Sequence, residues 1–471
     1  MPDLASSALT ALAHIEQELT SGDETQSYIC LLRLTRCGRE KIKKLLAAVR
    51  GQSQNYANDL SELCSVSHEL MKDVRLDLTR CLVWRSLYSD SALVWSLLDI
   101  LHARELKSIE DDEYWKASME RLDNAIIIAG APGEGRLDLI LDTIERIQSA
   151  HLPLTTTLCH IIIPHGPKEE NRLVSVPLSS ATHPVPVLSK PPSISAFRSG
   201  FGSAPFILRQ YAADWPAVKE RLWASKAHLR GVAGRGRVVP VEIGRDYRTD
   251  DWTQRMIEWD DFLDYLFANV EADEEADNRQ QALKEVRYLA QHDLFKQFPA
   301  LREDIVVPDY VYTCLPPPEY YPQYRPPAND EQLVMNTWIG PVGTLSPAHT
   351  DPFYNFYTQV VGRKTVWLAP PNASPVLSPH PATIASSSEH RTSSDLTSTD
   401  SKENSAMLSN TTHLDVFASA SELQCERGFM ETVAPLAMSA VLDEGDMLFF
   451  PPGWWHALRS ESTSFSVSMW F

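Results

Sequence analysis

Residues 337–371, TWIGPVGTLSPAHTDPFYNFYTQVVGRKTVWLAPP, contain short runs of aromatic and β-branched residues separated by turn residues. Gly362 divides two of these runs, NFYTQVV and KTVWLA, at a spacing that predicts two antiparallel strands joined by a tight turn. Similar runs occur outward in both directions, from APFILRQY at 204–211 to SFSVSMWF at 464–471. Many short strands with turns between them predict an antiparallel sandwich or jelly roll.

The N-terminal part of the chain follows a helical pattern instead. In LDLILDTIERIQ, residues 137–148, apolar side chains recur at steps of three and four positions, which places them on one buried face of a helix. GAPGEG at 130–135 lacks the Lys-Ser/Thr pair of a phosphate loop, so we interpret it as a turn between helices. We predict an all-helical domain over residues 1–150 and an α+β fold class for the chain. Further helical segments are expected near 215–230, 252–270 and 279–297, between strands.

Two segments of unusual composition divide the rest of the chain. Residues 151–182 mix β-branched runs with prolines, and we interpret them as a linker and edge segment. Residues 373–413 are rich in Ser and Thr and contain few large apolar side chains. Such a tract buries too little apolar area to offset the entropy of ordering it, so we expect a disordered insertion. It interrupts a second domain that extends over residues 183–471.

The net charge of the chain indicates which kinds of molecule it can bind. The 471 residues include 43 Lys and Arg against 62 Asp and Glu, a formal net charge of −19. A surface this acidic gains no general electrostatic affinity for nucleic acid, which argues against direct nucleic-acid binding and favours a basic protein or peptide. The basic stretch RLWASKAHLRGVAGRGR at 221–237 is the one feature that points the other way.

Cysteine usage and hydropathy bear on the location of the protein. The seven cysteines are scattered and form no Cys-x-x-Cys pair, which is typical of reduced intracellular thiols. No apolar run reaches the roughly 18 residues of a membrane span. We therefore expect a protein of the nucleus or cytoplasm that does not associate with membranes.

Two histidines and an aspartate form the most informative polar pattern. His349 and Asp351 are separated by one residue, so on an extended strand both side chains point to the same side. His456 lies far along the chain, just before another predicted strand. Two imidazoles and one carboxylate are the facial triad that binds ferrous iron. The alternatives are a chance His-x-Asp pair with a core histidine, or zinc, although structural zinc sites usually include Cys thiolates and none is near.

Three further polar residues fit an oxidative site. Lys364 lies on the strand that returns after Gly362, and a buried lysine needs an anion, which the distal carboxylate of 2-oxoglutarate would supply. The alternative is a solvated lysine of a hairpin. Ser346 and Asn355 either hydrogen-bond a bound acid or cap a turn.

The motifs HTDPFYNFYTQVVGRK, RYLAQHDLF and FSVSMWF resemble those of the Jumonji-C family of iron- and 2-oxoglutarate-dependent oxygenases. Within that family they are most similar to the group called Jumonji domain-containing protein five. The resemblance covers roughly residues 183–471 and implies a double-stranded β-helix of the cupin type, with Fe(II), 2-oxoglutarate and O2 as cofactor and co-substrates. It implies these roles: iron ligands His349, Asp351 and His456; co-substrate binding by Tyr288, Ser346, Asn355 and Lys364, with Trp470 on the pocket wall; substrate binding by Glu242 and Trp338.

The resemblance also implies oxidation of a basic protein or peptide that contains arginine or lysine. Carbon hydroxylation of an arginine ranks first, because Trp338 and Glu242 would provide one aromatic wall and one carboxylate for a guanidinium group. Histone methyl-lysine demethylation is the alternative within the same chemistry. The acidic run at 250–277 is either a solvated face or a collar that attracts a basic peptide. A third alternative is a non-catalytic scaffold whose N-terminal helices dock a partner.

Overall fold

The structure, a computed structural model, describes residues 3–20, 32, 36–72, 78–106, 111–154, 162–163, 178–246, 248, 252–273, 285–377, 410–426 and 428–471. The chain forms two compact units. The first comprises Met1–Leu158, Arg230–Val239 and Met256–Asp261, and the second comprises the remaining residues. Most of the predicted insertion, residues 378–409, lies outside the described residues, as does part of the acidic run.

The first unit is helical, as predicted. Its helices among the described residues are α1 (Leu4–Thr20), α2 (Arg36–Val49), α3 (Tyr56–Met71), α4 (Leu78–Leu106), α5 (Asp112–Ile127) and α6 (Arg136–His151). Ile140, Ile144 and Ile147 of α6 are buried, which confirms the face inferred from their spacing. GAPGEG is the turn between α5 and α6. No helix in the described part of the chain combines the length and apolar character needed to cross a bilayer.

Carboxylates neutralise the basic stretch at 221–237. Each Lys and Arg in it forms an ion pair: in the first unit Arg230 with Asp260, Arg235 with Asp112 and Arg237 with Asp123, and in the second unit Arg221 with Asp304 and Lys226 with Asp264. Because these cations are already paired, the stretch is a poor site for phosphate groups. The same pairs involve Asp260 and Asp264 of the acidic run, so part of that run has a structural role.

The chain contains two β-sheets, most of whose residues belong to the second unit. Its strands are β1 (His183–Pro184), β2 (Val187–Leu188), β3 (Phe206–Leu208), β4 (Val238–Ile243), β5 (Thr253–Glu258), β6 (Arg287–His292), β7 (Val334–Gly340), β8 (Leu345–Thr350), β9 (Asn355–Val361), β10 (Lys364–Ala369), β11 (Met438–Leu442), β12 (Met447–Phe450), β13 (Trp455–Ser460) and β14 (Ser464–Trp470). The strand orders are β1-β11-β10-β13-β8 in the five-stranded sheet and β2-β3-β12-β9-β14-β7-β6-β4-β5 in the nine-stranded sheet.

The two sheets pack face to face through a shared apolar core. Tyr357 and Leu448 from the larger sheet contact the same cluster as Val366 and Leu458 from the smaller sheet. The longer strands pair antiparallel. The predicted α+β fold, a helical region followed by a jelly roll, is therefore confirmed.

The turn at Gly362 connects β9 to β10 and requires a glycine. Its φ is 73°, in the left-handed region, and an added Cβ would lie 2.1 Å from the carbonyl oxygen of Thr463. This turn places Lys364 at the start of β10 with its side chain buried, as the sequence predicted for the returning strand.

The helices between the strands differ from the prediction. They are α7 (Ile194–Ser199), α8 (Pro216–Lys219), α9 (Lys226–Ala233), α10 (Trp259–Asp273), α11 (Leu294–Gln297) and α12 (Ala420–Gln424). Strands β5 and β6 occupy part of the segments predicted as helical at 252–270 and 279–297, and α10 and α11 follow those strands. Residues 279–284 of the second segment lie outside the described residues. Tyr288 therefore lies on a strand, where it pairs with Glu242 of β4.

Candidate metal centre and active-site cleft

Strand pairing brings the two predicted histidine ligands together. β8 and β13 are antiparallel neighbours, and His349 lies directly opposite His456 with the ring centroids 4.1 Å apart. Asp351 follows the end of β8, and its carboxylate oxygens lie 3.8 Å from His349 Nε2 and 3.4 Å from His456 Nε2. One ligand atom from each residue lies within 4.8 Å of the other two. The long gap in sequence is closed by the sheet.

Backbone carbonyls orient both imidazoles. His349 Nδ1 lies 2.7 Å from the Pro347 carbonyl, and His456 Nδ1 lies 3.1 Å from the Trp454 carbonyl. A carbonyl only accepts, so we assign the proton of each ring to Nδ1, which leaves a lone pair on each Nε2. Those two lone pairs face the carboxylate of Asp351.

The surroundings of His349 and Asp351 keep these two groups in the states that bind a metal. Burial, with a smaller contribution from His456, lowers the pKa of His349 to about 4, so its imidazole is neutral at pH 7. Burial alone would raise the pKa of Asp351, but the two imidazoles outweigh it and hold that pKa below its ordinary value. Two imidazole nitrogens and one carboxylate are a donor set that fits ferrous iron, and no described cysteine joins the cluster, as a structural zinc site would usually require.

A small inner pocket adjoins the triad. The predicted residues Ser346 and Asn355 line it together with the three metal-binding candidates. Ser346 Oγ lies 3.3 Å from the hydroxyl of Tyr288, and Asn355 Oδ1 is buried without a hydrogen-bond partner among the described residues. Polar groups that can hydrogen-bond a small acid therefore converge beside the metal centre.

Lys364 supplies a positive charge behind this pocket. Its side chain is 1% exposed, and its Nζ donates to the hydroxyl of Tyr357 at 2.9 Å. It also lies 5.7 Å from the ring centroid of Tyr288. Burial lowers the pKa of Lys364 to about 7, and no carboxylate among the described residues pairs with it. The alternative of a solvated hairpin lysine is therefore wrong.

A wider cleft of roughly 550 Å³ leads outward from the triad. The predicted substrate residues Glu242 and Trp338 line it, and Trp470 forms part of its wall. Trp338 donates its Nε1 proton to Ser468 Oγ at 3.0 Å, and its ring lies 6.2 Å from that of Tyr288. Burial raises the pKa of Glu242 to about 7, although a hydrogen bond of 3.2 Å from Trp252 Nε1 partly offsets this.

Several residues of the site had not been inferred from the sequence. Tyr357 follows Asn355 by two positions on β9, so strand periodicity could have placed it on the same face. Residues 410–412, which end the predicted insertion, pair with β8 and place Thr411 opposite His349. Asn410 and Thr411 line the cleft, and no sequence pattern indicated this.

Comparisons with known proteins agree with this geometry. A family profile described as "Cupin-like domain" matches residues 200–471. "Lysine-specific demethylase 8" of Danio rerio is 31% identical over 402 residues, which cover 82% of this chain and 81% of that protein. "Jumonji C domain-containing protein 5" of Drosophila melanogaster is 35% identical over 283 residues, 59% of this chain and 58% of that protein. "Lysine-specific demethylase JMJ30" of Arabidopsis thaliana is 33% identical over 267 residues, 57% of this chain and 49% of that protein.

The extent of these matches fixes the family. The profile covers more than half of the chain, and the zebrafish relative aligns with both the helical and the jelly-roll parts. The fly and plant relatives are matched over about half of their own length. The names of these relatives confirm the group that the sequence motifs indicated. The chain belongs to the Jumonji-C family of iron- and 2-oxoglutarate-dependent oxygenases.

Proposed function

We propose that this enzyme hydroxylates a carbon of an arginine side chain in a protein or peptide substrate. His349, Asp351 and His456 would hold Fe(II), which with 2-oxoglutarate and O2 supplies the chemistry of C–H oxygenation. The residues of the chain bind and orient the reactants and limit the access of water. The N-terminal helices remain candidates for docking a partner.

The polar groups in and around the inner pocket have the chemistry to bind 2-oxoglutarate. The ammonium group of Lys364 would bind the distal carboxylate, and the hydroxyl groups of Tyr288 and Ser346 would donate further hydrogen bonds to it. Asn355, whose Oδ1 has no partner in the described part of the chain, lines the pocket together with the metal-binding candidates. This arrangement would direct the keto acid end toward His349, Asp351 and His456.

The environment of Glu242 is the observation that favours arginine as the target residue. Glu242 lies on the cleft wall, burial raises its pKa to about 7, and no cationic side chain among the described residues forms an ion pair with it. One of its oxygens accepts from Trp252, and the rest of its acceptor capacity is open to a substrate. A guanidinium group offers N–H donors in a planar fork together with a permanent positive charge. The ring of Trp338 would pack against the flat face of that group.

Lysine demethylation is the second candidate. Aromatic side chains line the cleft: Tyr288, Tyr321, Trp338, Phe353 and Trp470. Such rings suit a methylated ammonium group through cation–π contacts. We rank this function second, because a trimethylated ammonium group has no N–H donor for Glu242.

The mass of the product distinguishes these two functions. The probes are acetylated heptapeptides with a central arginine, and a matched series with central trimethyl-lysine, each incubated with enzyme, ferrous iron and 2-oxoglutarate. We expect a persistent gain of one oxygen atom on the arginine peptides, with succinate formed in equal amount. Loss of a methyl group from the lysine series alone would make the enzyme a demethylase.

Glu242 should make peptide binding depend on pH. In the free enzyme it is protonated below a pKa of about 7, and a bound guanidinium would lower that pKa. Peptide affinity should therefore fall by up to tenfold per pH unit as the pH decreases below 7. Glu242→Gln should raise KM for the arginine peptide by about 100-fold and remove this pH dependence.

The requirement for 2-oxoglutarate is the internal control for that variant. It should stay within about twofold of wild type, because Glu242 lies on the outer cleft and does not line the inner pocket. If KM for the peptide kept its pH dependence in Glu242→Gln, another group would be responsible for the recognition of the guanidinium.

A further inference from the structure

An irregularity in the sheet lies at the wall of the cleft. Between β6 and β7, Leu289 pairs with Ile339, and His292 pairs with Thr337. Three steps along β6 therefore match two steps along β7, so β6 contains one extra residue, a β-bulge. Gln291 lies in this bulge with a φ of 47°, a left-handed conformation that a glutamine rarely adopts.

The surrounding residues hold the bulge in place. The carbonyl of His292 accepts from Thr337 Oγ1 at 2.8 Å, and His292 Nε2 lies 2.8 Å from Gln297 Oε1. Asp293 accepts from the Lys296 backbone N–H at 3.1 Å and caps α11. None of these bonds uses the side chain of Gln291. The fold therefore imposes the left-handed backbone at Gln291 without using its carboxamide for stability.

The bulge places the carboxamide of Gln291 at the cleft. Gln291 is exposed and lines the same cleft as Glu242, Tyr288 and Trp338. Ala290 beside it also lines the cleft. A carboxamide offers donors and an acceptor without charge, which is the complement of a peptide main-chain amide. Glu242 thus offers a charged group to the side chain of a substrate, and Gln291 offers an amide group to its main chain.

We infer that Gln291 binds the main chain of the substrate peptide beside the target residue. This inference rests on the proposed function, because it requires a peptide in the cleft. Contact with the main chain recognises an extended segment whatever its flanking side chains are. The bulge adds this contact to those that Glu242 and Trp338 make with the target side chain.

The test compares Gln291→Gly with a matched control, Gln332→Gly. Gln332 is also an exposed glutamine with a left-handed φ of 51°, but it does not line the cleft. Glycine adopts this backbone readily, so both variants should keep or raise the Tm of the wild type. We expect KM for the arginine heptapeptide to rise about tenfold in Gln291→Gly and to stay unchanged in Gln332→Gly. The 2-oxoglutarate requirement should be unchanged in both variants.

Ester-substituted peptides identify the contact itself. Replacement of single main-chain amides by esters in the heptapeptide removes one N–H donor at a time. At one position the ester should raise KM for the wild type and leave KM for Gln291→Gly unchanged. Such non-additivity between the ester and the substitution is expected when Gln291 contacts that amide directly. Gln291→Asn, which also accepts a left-handed backbone but has a shorter side chain, should behave as Gln291→Gly does.

The outcomes separate this inference from the proposed function. Wild-type enzyme that neither binds nor oxidises the peptides would overturn both. Wild-type enzyme that oxidises them with the same KM as Gln291→Gly would overturn only the role of Gln291. Equal rises in KM for Gln291→Gly and Gln332→Gly would also overturn it, because a general effect of glycine on the sheet would then explain the result.

Discussion

Replacement of His349 by alanine should reduce turnover of 2-oxoglutarate by about 10³-fold or more. His349 supplies one of the three donors, and its loss leaves Asp351 and His456 with two ligands for the ion. Iron should then bind too weakly to remain at working concentrations. Succinate release measures the activity, and binding of Mn(II), followed by its electron paramagnetic resonance signal, measures the metal site without any reaction.

An exposed histidine of the same unit provides the control. His183→Ala should keep wild-type activity and Mn(II) affinity, because His183 is exposed on a short edge strand, where its ring hydrogen-bonds to the Pro435 carbonyl, and it does not line the cleft. Chelation of the metal from wild-type enzyme should stop succinate release, and ferrous iron should restore it. Full Mn(II) affinity and full turnover in His349→Ala would show that the triad is not the metal centre.

Strand periodicity in the sequence predicted the positions of those site residues that are close together along the chain. His349 and Asp351 share one side because they are two positions apart next to a strand, and Lys364 is buried because it starts the strand after Gly362. His456 could not be placed in this way. Its position depends on the pairing of β8 with β13 across a long separation, so the sequence suggested His456 as the third ligand but could not show that it lies beside the other two.

Other residues of the cleft could not be predicted from the sequence. Gln291 carries no turn signal, because the left-handed backbone is imposed by the bulge and not by a glycine or asparagine at that position. Asn410 and Thr411 follow a segment rich in Ser and Thr, so composition suggested disorder although residues 410–412 pair with β8. Tyr288 was expected on a helix because its neighbours mix apolar and charged residues without clear alternation. In each case a contact distant in sequence determines the local structure.

Replacement of Lys364 by alanine should raise KM for 2-oxoglutarate by about 100-fold and leave peptide affinity within about twofold. Lys364 is the buried cation behind the inner pocket, and the variant leaves the distal carboxylate of the co-substrate with hydroxyl donors alone. Arg363→Ala is the control, because it removes a positive charge one residue away whose Nε donates to Asp443 at 2.7 Å. Equal losses of co-substrate and peptide affinity in Lys364→Ala would remove the carboxylate-binding role from Lys364.

Proton uptake gives an independent measurement of the same role. The pKa of Lys364 is about 7 in the free enzyme because burial disfavours its charged form, and a bound carboxylate should raise that pKa. Above pH 7 the enzyme must therefore take up a proton to bind 2-oxoglutarate, and the apparent affinity should fall by up to tenfold per pH unit. Calorimetry at pH 8 in buffers with different ionisation enthalpies should show an uptake of about one proton in wild type. Lys364→Met has no group to titrate and should show none, so the same uptake in that variant would assign the proton to another residue.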